Sequence, residues 1–369
     1  MEAKTKSVLK YVIAGVLVCA LVVCIILSAV TLNKLNKVSD ALNLGGADAA
    51  AKENDVVIAD EYVIKSTEKI SDAYKAGSTD GLSDREKETL DMASAVLDEI
   101  IDKGMSPYEK ELAVYDWMTS ALQYEAGALL VIPDTSADCD NPYGVLKHHN
   151  AVCVGYATTF RLFMQMLDIE CMVVHNDECY HSWNLVKLED EWYHTDIYSD
   201  SGIGNYAHFN ISDNQLAAYQ TWNREFFPAA VGYKYSYAYQ NMTQCEDIYG
   251  IPAAVREMLD NQMGTKAFCF GTEITEDDAQ IVEVMMQNIQ SATEYSEEFC
   301  SLCMSWSWLS TDKGYALCVS IEGYEADCDE PEIEIPDEAY EKIDEVMENC
   351  FGDLTVWEDD GWYDEESEG

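Results

Sequence analysis

The sequence predicts an α+β protein in which a helix carrying a cysteine packs on an antiparallel sheet, with a small α+β domain after it and a transmembrane helix before it. Three observations indicate this architecture. Apolar residues at helical spacing follow Cys153, two strand-like segments come soon after that helix, and a long uncharged apolar run lies near the N-terminus.

The helix is predicted from apolar side chains that recur every three or four residues after Cys153. They are Phe160, Phe163, Met164 and Leu167. This spacing places them on one face, so the segment should be buried on that side. Cys153 would then stand at the N-terminal end of a buried helix, where the helix dipole and unpaired N–H groups favour a thiolate.

The sheet is predicted from the segments HSWNLVKL (181–188) and WYHTDIY (192–198), which a polar turn separates. Strands so close in sequence should pair antiparallel. A connection with an even number of residues would place His181 and Asp196 on the same face. A short strand from Cys171 to Val174 should precede them.

Two helices are predicted upstream of this region. The first carries an apolar stripe from residue 84 to Ile100. The second begins with Ser106 as a candidate N-cap, Pro107 in the first turn and Glu109 closing a capping box. The interval 127–150 is rich in Pro, Asp and Asn and is predicted to be a loop.

The chain divides by composition into six predicted regions. They are a cytoplasmic N-terminus (1–10), a transmembrane anchor (11–33), a stalk (34–62), a domain carrying Cys153 (63–250), a small α+β domain of unknown role (265–355) and an acidic tail (356–369). Within the small domain we expect a strand at 267–270, a helix at 278–292, strands at 299–308 and 315–321, and a helix at 337–350.

The anchor is predicted because no charged residue occurs from Tyr11 to Asn33. At about 1.5 Å per residue, a helix of this length crosses the roughly 30 Å of bilayer hydrocarbon. The flanking lysines mildly favour a cytoplasmic N-terminus, which would place the bulk of the chain outside the cell. The alternatives are a cleaved signal peptide, which the length of the run disfavours, and a lipoprotein, which the residues before Cys19 and Cys24 disfavour.

The charge balance is strongly acidic, with 69 Asp and Glu against 22 Lys and Arg and a formal net charge of −47. Such a surface repels phosphate backbones, so nucleic acid is not an expected partner. The chain has 13 cysteines, and two of them lie within the predicted anchor. In an oxidising compartment the odd number left would leave one thiol unpaired.

Cysteine catalysis requires a thiolate, a base that can also act as an acid, and a group that orients the imidazole. Cys153, His181 and Asp196 supply these three groups in order along the chain. The backbone amide of Cys153 is the expected oxyanion donor. Each residue taken alone also has a structural explanation, since buried cysteines are usually inert.

The segments AVCVGYATTFRLFMQMLDIECMVV and HSWNLVKLEDEWYHTD resemble the transglutaminase-like (papain-like thiol) superfamily, in its bacterial extracellular branch. In that family a Cys-x-Gly-Tyr-Ala helix start is followed by a His-x-Trp-Asn strand and a Trp-Tyr-x-x-Asp strand. The upstream helix around 105–118 and the segment 208–213 also resemble the family, so that the likeness covers about 93–222. Two positions depart from it: Ala151 replaces a frequent Gly, and Ile197-Tyr198 replaces Thr-Trp.

The resemblance implies a cysteine protease or a protein-glutamine acyltransferase that attacks amide bonds of a protein or peptide, such as a cell-wall or surface protein. It implies Cys153 as nucleophile, His181 as acid and base, and Asp196 as orienting carboxylate. Tyr124, Trp183 and Asn184 are weaker expectations for oxyanion or substrate contacts. No metal and no other cofactor is expected.

Several alternatives remain open. His194 lies on the presumed face of Asp196 and competes with His181 as the base. His148 and His149, with Cys139 or Asp140, would give a metal site of unusual spacing, and the pair Cys300 and Cys303 would suit a redox site. At the level of function, the rivals are a catalytically idle surface protein that binds wall or host polymers, and a chain whose C-terminal domain is the active part.

Overall fold

The computed structural model describes residues 56–58, 62–124, 138–176, 180–201, 204–270, 274–294, 303–322 and 333–352. The chain divides into two compact units, one of 1–54 with 224–228 and the other of 55–223 with 229–369. The fold and site described below belong to the second unit. Among the described residues, no helix combines the length and the apolar character needed to cross a membrane.

The elements of the part that carries Cys153 alternate helices with short strands. In chain order they are β1 (Val56–Ile58), β2 (Tyr62–Ile64), α1 (Glu68–Ala76), α2 (Asp84–Ile100), α3 (Pro107–Ala121), β3 (Gln123–Tyr124), α4 (Pro142–His148), β4 (Asn150–Ala151), α5 (Cys153–Met166), β5 (Cys171–His175), β6 (Ser182–Leu188), β7 (Glu191–Thr195), α6 (Ile197–Asp200), α7 (Asp213–Leu216) and α8 (Tyr237–Gln240).

The two upstream helices begin where the sequence predicts. Ser83 caps α2 and Ser106 caps α3, and in each case the glutamate three residues later closes a capping box. Pro107 occupies the first turn of α3, where its missing N–H costs nothing. These caps fix the start of α3 and therefore the phase at which it presents Glu111, Val114, Tyr115 and Met118 to the interior.

Strands β5, β6 and β7 form a three-stranded antiparallel sheet with β6 in the centre. The register pairs Asn184 with Thr195 and Leu188 with Glu191, so that Glu189 and Asp190 alone form the connection. The even connection confirms the predicted hairpin. The second strand begins at Glu191, one residue before the predicted Trp192, and this makes the connection even, which is the condition for His181 and Asp196 to lie on one face.

Helix α5 packs on this sheet and is buried along nearly its whole length. Its aromatic residues Tyr156, Phe160 and Phe163 belong to a core that α2, α3, α4 and the sheet share. The largest side chains of this core exclude water almost completely, with Phe160 and Phe163 at 0% exposure. The predicted helix carrying a cysteine on an antiparallel sheet is therefore confirmed.

The C-terminal part forms a second sheet, in the order β10-β11-β9-β8, with helices packed against it. Its elements are β8 (Thr243–Cys245), a 3-10 turn (Ile248–Gly250), α9 (Ile251–Asp260), β9 (Thr265–Phe270), α10 (Glu276–Glu294), β10 (Cys303–Thr311), β11 (Gly314–Glu322) and α11 (Asp337–Phe351). A separate apolar core gathers Val255, Phe268, Met285, Leu317 and Ile343. The small α+β arrangement predicted for this region is confirmed, and the sheet also includes Thr243–Cys245, ahead of it.

Two secondary-structure predictions were wrong. Residues 142–148 lie within the predicted loop and form α4, because Asn141 caps the segment through the amide of Gly144 and Pro142 suits its first turn. The strand predicted to reach Tyr198 ends at Thr195, because the Asp196 side chain caps α6 instead.

Some predictions concern residues that the structure does not describe. The N-terminus (1–10), the anchor (11–33) and the tail (356–369) lie outside the described residues and stay predictions. Of the stalk, Val56–Ile58 is described, and it pairs antiparallel with Tyr62–Ile64.

Candidate active site

Cys153 is the first residue of α5, and no side chain caps the start of that helix. The N-cap Val152 makes no side-chain capping bond, and the first turn holds no acidic residue. The positive end of the helix dipole therefore acts on the sulfur without a competing anion from the helix itself. Cys153 is partly exposed, whereas almost all of α5 after it is buried.

The start of α5 is fixed by a close contact with the loop that ends at Asn141. The Val152 amide donates to the carbonyl oxygen of Cys139 at 3.1 Å. A side chain at position 155 would overlap that same carbonyl, so only glycine fits there. The glycine two residues after Cys153 thus has a structural cause, since it lets the helix approach the loop that fixes the position of the sulfur.

His181 and Asp196 meet at the open end of the β6–β7 hairpin. The His181 Nε2 atom lies 2.7 Å from Asp196 Oδ2. Continuing the register would place Asp196 opposite Trp183, so His181 and Asp196 are diagonal neighbours on one face. Their side chains are 8% and 1% exposed, so the pair is shielded from water.

Burial opposes a charge on His181, but the pair overcomes this effect. Desolvation lowers its pKa, whereas the Asp196 carboxylate and a hydrogen bond to Cys153 raise it, to a net value of about 10. Because Nε2 is bound to Asp196, Nδ1 is the ring nitrogen that remains for the hydrogen bond to Cys153. An imidazolium in this position can stabilise a thiolate and later donate a proton.

Asp196 remains ionised although it is fully buried. Burial raises its pKa, but His181, the charge of His208 and the Ser199 hydroxyl together bring it below the ordinary value. The Ser199 hydroxyl donates to Oδ2 at 2.8 Å, and the Ser199 amide donates to Oδ1 at 3.2 Å. The carboxylate is therefore oriented by donors on both of its oxygens.

The Cys153 sulfur has a second neighbour in the carbonyl oxygen of Tyr180, 3.9 Å away. Buried Asn176 fixes this part of the chain, because its side-chain oxygen accepts from the amides of Tyr180 (2.9 Å) and His181 (3.2 Å). Asn176 thus sets the backbone from which the imidazole projects. The sequence pattern around Asn176 indicates only that it lies in a loop before a strand.

Trp183 packs against His181, and its indole N–H is bound to His194 and so does not serve as an oxyanion donor. The two rings are stacked, with centroids 5.8 Å apart and an interplanar angle of 24°. The indole N–H donates to His194 Nδ1 at 3.0 Å, and His194 Nε2 lies 2.8 Å from Asp213 Oδ1. His194 is fully buried in this arrangement, so its role here is to hold Trp183 against the imidazole.

Asn184 has a structural role between α5 and the sheet, and Tyr124 lies on the strand beside the start of α5. The Asn184 amide is buried and donates to the carbonyl oxygens of Ala157 (3.0 Å) and Met172 (3.2 Å), which ties α5 to the sheet. Tyr124 ends β3 and pairs with Ala151, two residues before Cys153. Its backbone therefore lies near the start of α5, and the structure does not describe its side chain.

Of the other candidate groups, Cys300 lies outside the described residues. Within the described ranges, no group of three or more His, Cys, Asp or Glu side chains is placed to hold a metal ion. The eight cysteines in those ranges, including Cys153 and Cys303, form no disulfide. A cavity of about 90 Å³ lies between segment 206–219 and the second sheet, and none of Cys153, His181 and Asp196 lines it.

Part of the chain is similar to a known protein family. Residues 94–197 match the model of the Transglutaminase-like superfamily. A solved structure titled "Crystal structure of a TGase" is 17% identical, with a TM-score of 0.25, and the match covers 37% of this chain and 39% of that chain. No curated protein matches this sequence. The matched segment contains Cys153, His181 and Asp196, so the part of the chain that carries them is similar to the transglutaminase-like superfamily.

Proposed function

We propose that this protein is a thiol enzyme that acts on amide bonds of proteins or peptides through an acyl-enzyme at Cys153. One observation carries the proposal. The buried His181–Asp196 pair, with 2.7 Å between Nε2 and Oδ2, is hydrogen-bonded to the partly exposed sulfur of Cys153 at a helix N-terminus without a side-chain cap. Thiol catalysis requires an imidazole that is hydrogen-bonded to the sulfur and oriented by a carboxylate, and His181 and Asp196 meet both requirements.

The chemistry follows from these positions. The Cys153 thiolate attacks the amide carbonyl carbon, and the carbonyl π electrons move to the oxygen. Backbone N–H groups at the start of α5, with that of Cys153 first among them, stabilise this oxyanion. The carbon–nitrogen bond then breaks as the His181 imidazolium gives its proton to the leaving amine, and a thioester remains.

A second nucleophile completes the reaction. Water or an amine gives a proton to the now neutral His181 and attacks the thioester carbon. The carbon–sulfur bond breaks, and the Cys153 thiolate leaves beside the restored imidazolium. Water would make the protein a cysteine protease, and a lysine amine would make it a protein-glutamine acyltransferase. Both outcomes use the same three side chains, so the proposal covers amide hydrolysis and transamidation alike.

We further propose that the enzyme acts outside the cell, anchored through residues 11–33, on a surface or cell-wall protein. The uncharged run in the sequence and the lysines that flank it support this placement. Membrane fractionation of cells expressing the full chain, with protease added from outside, tests it. The expected result is a membrane-bound protein cleaved by external protease, and recovery in the soluble cytosolic fraction would refute it.

The catalytic proposal is tested by competitive labelling with iodoacetamide at neutral pH, followed by peptide mapping. Cys153 should react ahead of buried Cys171, Cys269 and Cys318, and His181→Ala should abolish its advantage over partly exposed Cys303 and Cys350. Screening surface proteins for cleavage or crosslinks, with Cys153→Ala as the matched control, then identifies the substrate.

The rival is an idle binding module on the same fold. It predicts equal, slow labelling of Cys153 and Cys303 and no change in His181→Ala. That result would refute the enzyme assignment.

A further inference from the structure

The short helix α6 has a buried carboxylate at each end. Asp196 caps its N-terminus and accepts from the Ser199 amide, and Asp200 is its last residue. Both side chains are almost fully buried, at 1% and 0% exposure. Residues four apart lie one helical turn from each other, so a fixed position for one carboxylate constrains the other.

Asp200 binds donors from two distant parts of the chain. The Tyr115 hydroxyl on α3 donates to Oδ2 at 2.6 Å. His208 Nδ1 lies 2.8 Å from Oδ1, and the His208 amide donates to Oδ2 at 3.0 Å. A buried carboxylate is tolerated because these donors satisfy both oxygens.

His208 closes the path back to Asp196. Its carbonyl oxygen accepts from the Asp196 amide at 3.0 Å. The contacts therefore form a ring: Asp196 leads through one helical turn to Asp200, Asp200 binds His208, and His208 binds the backbone of Asp196. The charge of His208 also favours the ionised form of Asp196 and so lowers its pKa.

Tyr115 fixes this ring to the core. Its side chain is fully buried, and its aromatic ring stacks on Tyr206 at 5.1 Å and meets Phe209 edge-on at 4.8 Å. Because protein interiors are close-packed, these ring contacts leave the Tyr115 hydroxyl little room to move. The position of Asp196 relative to His181 is thereby tied to α3.

We propose that Asp200, with Tyr115 and His208, is a positioning group for Asp196 and through it for His181. This inference rests on the proposed function, because it assigns these residues to the same site. They touch none of the reacting atoms. They hold the orienting carboxylate within the sub-ångström tolerance that an imidazole poised between a carboxylate and a thiol requires.

The test uses the full chain and the iodoacetamide reaction of Cys153, measured from pH 5 to pH 10. Asp200→Asn should lower the labelling rate about 10- to 100-fold, the range known for side chains that orient the ligands of metal sites. The profile should also shift, because a displaced Asp196 no longer supports the raised pKa of His181. Circular dichroism checks that the fold is retained.

Tyrosine variants provide a milder test with a matched control. Tyr115→Phe removes only the hydroxyl that donates to Asp200, and we expect a rate loss of roughly 5-fold. Tyr193→Phe is the control, because Tyr193 is equally buried and its hydroxyl donates to a different carboxylate, that of Glu191. Tyr193→Phe should leave the rate and the pH profile unchanged.

The outcomes separate this inference from the proposed function. If wild-type Cys153 is selectively labelled but Asp200→Asn and Tyr115→Phe behave as wild type, the positioning role is refuted and the enzyme assignment stands. Equal losses in Tyr115→Phe and Tyr193→Phe would also refute it, since they indicate general loosening of the core. If wild-type labelling is unselective, the proposed function itself fails.

Discussion

Replacing Asp196 with asparagine should lower the pKa of His181 and remove the preferential reactivity of Cys153. The substitution keeps the side-chain shape and an oxygen acceptor but removes the charge 2.7 Å from Nε2. Desolvation then lowers the pKa of the imidazole unopposed by the Asp196 charge, which is the largest of the contributions that raise this pKa. The pKa should fall from about 10 to below 6.5.

The size of the effect follows from that change. A shift from 6.5 to about 10 represents on the order of 5 kcal/mol of preference for the imidazolium, at about 1.4 kcal/mol per pKa unit. The equivalent substitution in a serine protease lowers kcat by about 10⁴. A cysteine is partly ionised without its base, so we expect a smaller loss here, roughly 10² to 10³ in the labelling rate of Cys153.

The assay is a titration of histidine ring signals by NMR, together with iodoacetamide kinetics. The chain has 6 histidines, so the ring signals can be assigned with single substitutions. Wild-type His181 should stay protonated from pH 5 to pH 8, and Asp196→Asn should titrate within or below this range. Asp213→Asn is the matched control, because it removes the carboxylate 2.8 Å from His194 and leaves the His181 pair intact.

The pH dependence of the free energy of unfolding tests the His181–Asp196 pair independently. A raised histidine pKa contributes stability that is complete below the unfolded value of 6.5 and is lost as the pH rises through about 10. The lowered pKa of Asp196 contributes stability above its unfolded value of 3.8, which is lost as the pH falls further. Asp196→Asn should therefore destabilise most near pH 5 to 6, by about 3 kcal/mol in urea unfolding. A wild-type His181 that titrates near 6.5, or equal destabilisation at pH 6 and pH 10, would refute this reasoning.

Three further predictions concern residues around the site. Gly155→Ala should destabilise the protein by about 2 kcal/mol or more and slow the labelling of Cys153, because the new methyl group overlaps the Cys139 carbonyl; unchanged urea unfolding would contradict this. Burial raises the pKa of Glu111 to about 8, so this group stabilises the fold fully below pH 4.5 and the effect is lost as the pH rises through 8. Glu111→Gln should remove that slope, on the order of 3 kcal/mol between pH 5 and pH 8, and parallel stability curves for the two proteins would contradict the prediction. Asn184→Ala should cost about 2 kcal/mol in urea unfolding because it removes the side-chain hydrogen bonds to the carbonyls of Ala157 and Met172 that tie α5 to the sheet, while selective labelling of Cys153 should persist; loss of that selectivity in a folded variant would instead indicate a direct role in the reaction.

Much of the candidate site was predictable because its determinants are local. The periodic apolar residues of α5 place Cys153 at a helix start, and the two-residue connection between β6 and β7 fixes the parity of His181 and Asp196. Capping residues Ser83 and Ser106 mark the starts of α2 and α3 in the sequence itself. Such features depend on neighbours within a few residues, and the periodicity of helix and strand carries them.

The end of the second strand was not predictable in the same way. WYHTDIY has the composition of a strand through Tyr198, yet Asp196 leaves the sheet and caps α6. Aspartate favours caps, but here His181, Ser199 and the carbonyl of His208 decide its backbone position. Only the last of these partners comes from beyond the hairpin and its following turn, and the sequence pattern contains no trace of it.

The sequence by itself determined which thiol, imidazole and carboxylate could meet, since helix and hairpin geometry set the faces from which they project. Only the tertiary structure decided how they are held. Tyr115 reaches Asp200 across 85 residues and Thr195 contacts Glu111 across 84, and both contacts are buried. Contacts of this separation follow from how the helices and the sheet pack around one core, where a buried polar group requires a partner from whichever segment is adjacent in space.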